Sequence, residues 1–431
     1  MNIPEWAMRL QTEREARGWS KHQMARELMN AAGVRHGSVV NLARQVLDWE
    51  KGKHFPRDWA ESYACAFEMD LAELFPSLEG CEASSDGSVP DDEVRRRTLL
   101  GMVAAAASAP LGVDAEPVRT VLTEAITTRV TARDADEWER VAFDYAHEVG
   151  FLPARQVLPD LVTDFNEINL LISHAVAEAR LRLVHTAAQL AALTAITLIS
   201  VGDARSARRW WRTAARAADE SGDPGAASLV RGRAAVFSLY GGWSAMTTLD
   251  LAKEAIEIGR NTPCVGVVSG YAARAQALAH LGRGAEATEA LNVLADTFVR
   301  LPDASTQHGR SQWTWPEQRL HHVKSHVHTF AGNPEEAHRA QDRALAFYSG
   351  QSQGRAQVEL HRAGALLRAG EIQEGARYMV RVMEGLPGAL AHDGLVRSTA
   401  RSSLGLAPRA ATRQPAVLDA YELLAETSGD Q

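Results

Sequence analysis

The feature that most constrains this chain is a repeat marked by glycine. Five glycines recur at spacings of 40, 40, 50 and 38 residues: Gly202, Gly242, Gly282, Gly332 and Gly370. Five residues after them stand Ala207, Thr247, Ala287, Ala337 and Gly375, and seven residues before them stand Ala195, Ala235, Ala275, Ser325 and Ala363. Small residues at two fixed points let paired helices approach closely where they cross. A period of this length therefore predicts an array of helix pairs, with an insertion near 302–307 in the longest repeat.

Composition agrees with a chain of two or three globular domains. Of the 431 residues, 45% are hydrophobic and 23% are charged, which is ordinary for a globular protein. The three cysteines, Cys65, Cys81 and Cys264, are far apart, so neither a disulfide framework nor a zinc knuckle is indicated. The first residues lack the pattern of a secretory signal, and the apolar run in 95–112 is too short to span a bilayer. We expect a cytoplasmic protein without a membrane partner.

Charge is distributed unevenly near the front of the chain. The net charge of −8 argues against a protein that coats nucleic acid over its whole surface. Residues 17–57, however, have a balance of +5, whereas residues 58–94 contain eleven acidic residues and neither lysine nor arginine. A local cationic region beside an acidic stretch indicates a confined anion-binding face.

That cationic region contains the stretch NLARQVLDWEKGKHFP, residues 41–56. As a helix it places Leu42, Val46 and Trp49 on one apolar stripe, and it stops at Gly52. The opposite face carries a polar set, namely Asn41, Arg44, Gln45 and Asp48. Three cations surround the helix end, namely Lys51, Lys53 and His54.

The segments RLQTEREARGWSKHQMARELM, LARQVLDWEKGKHFP and YACAFEMDLAELF resemble the helix-turn-helix of Cro/repressor-type (XRE) transcription factors. The ending Trp49-Glu50-Lys51-Gly52 is the most specific element of that resemblance, although ten to twelve extra residues separate the second and third helices. The resemblance implies that the third helix lies in the major groove of a double-stranded DNA operator. Arg44 and Gln45 then read base edges beside Asn41 and Asp48, and Lys51, Lys53 and His54 approach phosphates. The alternative is a solvated helix face on a domain that binds only protein.

The motifs GRGAEATEAL and GNPEEAHRAQDRAL resemble a slightly lengthened tetratricopeptide repeat. The predicted fold is therefore all-α, with an N-terminal helix-turn-helix domain and a C-terminal TPR-like α-solenoid. Its segments are the XRE-type DNA-binding domain in 1–76, an acidic flexible linker in 77–94, a basic and Ala-rich connecting helix in 95–114 and a TPR-like sensor and dimerisation domain in 115–428. The resemblance implies a concave face that holds a peptide, a small molecule or a protein partner.

In the tetratricopeptide register, seven polar side chains face that concave surface. They are Tyr240, Ser269, Gln276, His280, Arg319, His322 and His326. His322 and His326 stand at i and i+4, a spacing that suits a metal, but no third ligand is fixed beside them, so ligand contact is favoured over a metal site. The alternative is a set of polar residues lining a wet groove. Trp313 and Trp315, which follow the insertion, either rim a pocket or pack in the core.

The sequence contains no phosphate-binding loop, no nucleophile-elbow motif and no telling pair of carboxylates, so we expect neither an enzyme nor a cofactor. The prediction is a homodimeric, ligand-sensing transcriptional regulator. The alternative is a helical interaction scaffold or adaptor that does not bind DNA.

Overall fold

The protein is described from a computed structural model, which covers residues 4–32, 39–53, 55–56, 59–75, 119, 122–123, 127, 130–260, 262–307 and 309–425. Its contacts divide the chain into two units, Met1–Arg96 and Arg97–Gln431. Over the described residues the regular structure is helical, without a β-strand, as the all-α prediction requires. The predicted linker and connecting helix lie outside these residues.

The described residues of the first unit form five short helices. They are α1 (Glu5–Ala16), α2 (Lys21–Ala31), α3 (Val39–Glu50), α4 (Ala60–Phe67) and α5 (Leu71–Leu74). The Ser20 hydroxyl accepts a hydrogen bond from the Gln23 backbone N–H over 3.1 Å, and so caps the start of α2.

One apolar core joins these helices. Leu42, Val46 and Trp49 are buried, so the predicted inward stripe of α3 is confirmed. The stripe packs with side chains of the other four helices, among them Leu10, Met24, Leu28, Tyr63, Phe67 and Leu74. Because α3 buries one face completely, its opposite face is the side left for solvent or a partner.

Among the described helices of the second unit, the first two with defined bounds are α6 (Ala132–Glu148) and α7 (Ala154–His174), and both pack on the next helix, α8 (Ala177–Ser200). Six helix pairs follow, namely α8 (Ala177–Ser200) with α9 (Ala204–Glu220), α10 (Pro224–Ser238) with α11 (Ala245–Ile258), α12 (Val265–His280) with α13 (Gly284–Val299), α14 (Glu317–Ala331) with α15 (Pro334–Ala346), α16 (Gln353–Ala369) with α17 (Ile372–Glu384), and α19 (Gly394–Leu404) with α20 (Pro415–Ala425). The short α18 (Gly388–Ala391) precedes α19. The first helix of each pair packs against the first helices of its neighbours, so these helices form one inner layer.

The repeat glycines lie in the turns between paired helices. All five adopt a left-handed backbone conformation, with φ between 70° and 90°, which L side chains rarely adopt. The small residues seven positions before them are fully buried. The prediction fails at Thr247, which is exposed, while its neighbour Thr248 is fully buried. After Gly202, the next residue, Asp203, caps the following helix. After Gly242, one residue intervenes before Ser244 caps α11, so this turn is one residue longer.

Among the described helices, α8 alone is long and apolar enough to cross a membrane, judged by length and composition. Its apolar window is 89% buried, because α6, α7, α9, α10 and α19 all pack around it. A helix that is apolar on every side is explained by burial among other helices.

The sixth helix pair returns to the first. Gly394, at the start of α19, lies against α8 so closely that a Cβ atom there would collide with the carbonyl oxygen of Ile199. Leu395 belongs to the same core cluster as the buried residues of α8. Asp393 caps α19 by accepting from the N–H groups of Leu395 and Val396. The inner layer is therefore closed by this contact and does not end as an open groove.

Candidate functional site

The outward face of α3 carries the predicted DNA contacts that the structure describes. Gln45 and Lys51 are exposed, and Asp48 is half-buried. Lys53 is also exposed, and its Nζ donates to Oδ1 of Asp48 over 2.8 Å. Three of the predicted contacts lie outside the described residues: the side chains of Asn41 and Arg44, and all of His54. An exposed ion pair contributes little free energy, so Lys53 can exchange Asp48 for another anion at small cost.

A buried ion pair holds the end of α3 against α1. The Arg14 guanidinium donates from Nε to Glu50 Oε1 over 2.5 Å and from Nη2 to Glu50 Oε2 over 3.0 Å. A third hydrogen bond, from Arg14 Nη1 to the carbonyl oxygen of Trp19, occupies the guanidinium further. Arg14 and Glu50 are each 5% exposed. Sequence reasoning missed this pair, although Arg14 stands four residues after Leu10 and seven after Ala7 on the buried face of α1.

The cationic region has fewer available charges than its composition indicates. Arg17 is part of the fold, because it donates to the carbonyl oxygen of Phe67 and to the Glu13 carboxylate, each over 2.6 Å. Its guanidinium also lies 4.7 Å from the centre of the Phe67 ring. Lys21 lies 3.6 Å from the Glu50 carboxylate. The balance of +5 therefore overstates the charge that this face can offer to an anion.

In the second unit, six of the seven predicted ligand residues interact with other polar side chains of the inner layer. The exception is Ser269, which is fully buried and accepts a hydrogen bond from the Trp315 indole N–H over 3.0 Å. Trp315 is 2% exposed and belongs to the core, so it does not rim a pocket. The Ser269 prediction is corrected for a physical reason: a buried indole N–H needs an acceptor, and this hydroxyl supplies it.

Histidines from three inner helices lie together. The Nε2 atoms of His280 and His326 are 3.1 Å apart, and both rings pack on Phe330. His361 of α16 completes the group, with its ring centre 5.1 Å from that of His326 and 5.4 Å from that of His322. Burial lowers the pKa of His280 to about 4, and burial together with the Arg319 charge lowers the pKa of His322 to about 4. These imidazoles are therefore neutral at pH 7.

Two of these histidines have ring nitrogens without a hydrogen-bond partner. His326 Nδ1 and His361 Nε2 are buried without a partner, while His361 Nδ1 lies 3.0 Å from the Ser325 hydroxyl. Burial lowers the pKa of both histidines. Among the described residues, no three His, Cys, Asp or Glu side chains are placed so that they could hold a metal ion.

Tyr240 lies at the end of α10, beside two amides. Burial raises its pKa to about 12, and hydrogen bonds with Gln276 and Gln357 oppose that rise. Gln276 is 1% exposed, and its Oε1 atom has no partner. Gln357 stands thirteen residues before Gly370, just as Arg319 stands thirteen before Gly332, so the repeat register could have identified it.

Two arginines lie beside this tyrosine and these histidines. Arg233 is 4% exposed, lies 4.9 Å from the centre of the Phe237 ring and donates from Nη2 to Gln312 Oε1 over 2.5 Å. Arg319 donates from Nη1 to the carbonyl oxygen of Thr314 over 2.6 Å. Sequence reasoning missed Arg233 and His361, yet both stand nine residues before a repeat glycine.

The insertion between α13 and α14 crosses this region. Gln312 is 6% exposed, and its side-chain oxygen accepts a hydrogen bond from Arg233. Its backbone N–H donates to the carbonyl oxygen of Ala146, and its side-chain amide donates to the carbonyl oxygen of Val149, at the end of α6. The segment 311–315 thus joins the end of α6 to the inner helices. No periodic pattern in the sequence marks this segment, because it lies between helices.

Comparisons with known proteins leave the site to be judged on its own geometry. No family model, no curated protein and no solved structure matches this chain. Any proposal about function therefore depends on the geometry of the described residues.

A recess lies on the surface of the second unit. Its volume is about 690 Å³, and its lining includes four carboxylates: Asp144, Glu148, Asp160 and Asp164. The Tyr145 hydroxyl donates to Asp164 over 2.7 Å. None of the predicted ligand residues lines it, so the inner helices remain the candidate site in this unit.

Proposed function

We propose that the chain is a sequence-specific DNA-binding regulator of transcription, with an XRE-type helix-turn-helix as its reading domain. The observation that carries the proposal is the arrangement of α3. Its apolar side is fixed by Leu42, Val46 and Trp49 in the core, its far side presents Gln45 to solvent, and Lys51 is exposed directly after the helix end. A rigidly seated short helix with an outward amide suits recognition of base edges in the major groove.

The second unit is proposed as a TPR-like sensor that also forms a homodimer. Support comes from its helix pairs, from the left-handed glycines between them and from the polar side chains gathered on the inner layer. One helix-turn-helix reads half of a two-fold site, so two copies are needed for a full operator. We infer that ligand binding changes the spacing or freedom of the two reading domains. A shift of about 1.4 kcal/mol between two arrangements changes occupancy tenfold.

A salt titration of binding to random duplex DNA tests this function against the scaffold alternative. A regulator binds at low salt with an affinity that falls steeply as salt rises, because phosphate contacts release counterions. Lys53→Ala should flatten this dependence by about one counterion and weaken all sequences alike. Lys253→Ala, which changes an exposed lysine of α11, is the matched control and should leave the slope unchanged. Negligible binding at every salt concentration would favour the scaffold.

Selection of bound fragments from genomic DNA then tests sequence choice. With a selected operator, Arg44→Ala and Gln45→Ala should each cost roughly 1–3 kcal/mol and relax preference at one base pair. A selection that returns two-fold symmetric sites supports the dimer. If both substitutions leave binding to the selected operator unchanged, the assignment of the outward face is wrong.

A further inference from the structure

The inner layer of the second unit contains two guanidiniums, the buried Arg233 and the part-buried Arg319, without a negatively charged partner among the described residues. Neither Arg233 nor Arg319 forms an ion pair with a described carboxylate; their hydrogen bonds go to an amide and to carbonyl oxygens. A guanidinium remains protonated in proteins, so both side chains carry charge at neutral pH. This contrasts with Arg231, two residues earlier in α10, which pairs with Asp219 and Glu254.

The two charges are close enough to act on each other. Arg233 and Arg319 both donate to Gln312, the first to its side-chain oxygen and the second to its backbone oxygen over 3.4 Å. Burial and the neighbouring Arg319 charge lower the pKa of Arg233, and burial lowers the pKa of Arg319 to about 10. Like charges in a desolvated region repel, and proteins seldom retain them without a compensating anion.

The surroundings offer more than charge. Arg233 Nε and Gln276 Oε1 are buried polar atoms without a partner, and each belongs to a residue more than nine-tenths buried. Tyr240, Arg319 and His322 keep part of their surface accessible although their surroundings desolvate them strongly. From partial exposure combined with strong desolvation we infer that these side chains face a recess and not bulk solvent. The rings of Phe237 and Phe330 add apolar wall to the same region.

We propose that this recess binds a small organic anion, whose carboxylate or phosphate group supplies the counter-charge for Arg233 and Arg319. The histidines of the recess are neutral, so the charge to be balanced is that of two guanidiniums, which suits one or two negative charges on the ligand. Because α19 contacts α8 and the segment 311–315 crosses the inner helices, we infer a small ligand and not an extended peptide. This inference rests on the proposed sensor role of the second unit and specifies the chemistry of its ligand.

Thermal unfolding of the full chain, followed by tryptophan fluorescence, tests the inference. The probes are sodium acetate, phosphate and citrate, compared with sodium chloride at equal ionic strength and with uncharged glycerol. At least one of these anions should raise the Tm of the wild type, by roughly 5 °C once its concentration reaches a hundred times Kd. Arg233→Met and Arg319→Met should abolish that rise. The matched control, Arg216→Gln, changes an exposed arginine of α9 and should retain it.

Chemical labelling provides a test that needs no variant to fold. Phenylglyoxal modification of wild-type protein, mapped by mass spectrometry, should be slowed by the stabilising anion at Arg233 and Arg319 but not at Arg216. The inference is overturned if none of the probes raises the Tm above the chloride control, if the rise persists in both methionine variants, or if the anion protects Arg216 equally. These readouts contain no DNA, so failure of duplex binding would refute the proposed function and leave the anion site standing.

Discussion

Arg14 and Glu50 form a doubly hydrogen-bonded ion pair inside the first unit, 36 residues apart in the chain. The pair links α1 to the last residue of α3, so the direction of the proposed recognition helix depends on it. Lys21 and Trp19 add further contacts, to Glu50 and Arg14 respectively.

Glu50→Ala should destabilise the first unit by about 3–5 kcal/mol, because it leaves the Arg14 charge buried without its partner. Hydrogen exchange of peptides from α1 and α3 in the full chain measures the loss. The double variant Arg14→Met, Glu50→Leu should recover most of it, since apolar residues replace a buried pair at little cost. Unchanged exchange in Glu50→Ala would mean that the pair does not hold α3.

Ser269→Ala should lower the free energy of unfolding by about 1–3 kcal/mol, because the buried Trp315 indole N–H loses its acceptor. The same variant should leave anion affinity unchanged, since Ser269 supports the core and does not line the recess. A double-mutant cycle with Trp315→Phe, measured by urea unfolding, isolates the pair. Additive effects of the two substitutions would contradict a stabilising hydrogen bond.

Gly394→Ala should loosen the contact that closes the inner layer. The added Cβ meets the carbonyl oxygen of Ile199, so either α19 or the end of α8 has to move, at a cost of about 1–3 kcal/mol. Hydrogen exchange should rise in both Gly394–Leu404 and the end of Ala177–Ser200. Gly388→Ala is the control, because nothing lies within 4 Å of its Cβ position; equal effects of the two substitutions would argue against a closed layer.

Acid should weaken the second unit between about pH 6.5 and about pH 4. His280 and His322 titrate near 6.5 in the unfolded chain, but their folded-state pKa is about 4 because of burial. Since the unfolded state binds more protons in this window, the free energy of unfolding falls as pH falls, by up to about 1.4 kcal/mol per pH unit for each histidine. Asp393 opposes this trend, because burial raises its pKa.

Urea unfolding of the full chain across that window provides the measurement. The double variant His280→Gln, His322→Gln should flatten the dependence on pH. His338→Gln, at an exposed position, serves as the control and should keep the wild-type dependence. A dependence that is the same in all three proteins would place the titrating groups elsewhere.

Local patterns were sufficient for the buried face of α3 and for the five turns that the repeat glycines mark. The apolar stripe of Leu42, Val46 and Trp49 identified the buried face of α3, because a side chain's position on a helix follows from spacing along the sequence. The recurring glycines located the turns between paired helices for a similar reason, since the left-handed conformation of such a turn depends on the residue that occupies it. At Thr247 the prediction was wrong by one residue, because a fixed distance from the glycine does not account for a longer turn.

The partners of buried charges were decided by tertiary structure alone. Arg14 meets Glu50, and Arg233 meets Gln312, across 36 and 79 residues, and no local spacing selects such pairs. The closure of the inner layer likewise depends on a long-range contact, in which Gly394 packs against Ile199. The sequence by itself therefore determined which faces are apolar and where the helices turn. Only packing in three dimensions decided which polar residues share an interior without water, and hence which of them require a ligand or a partner.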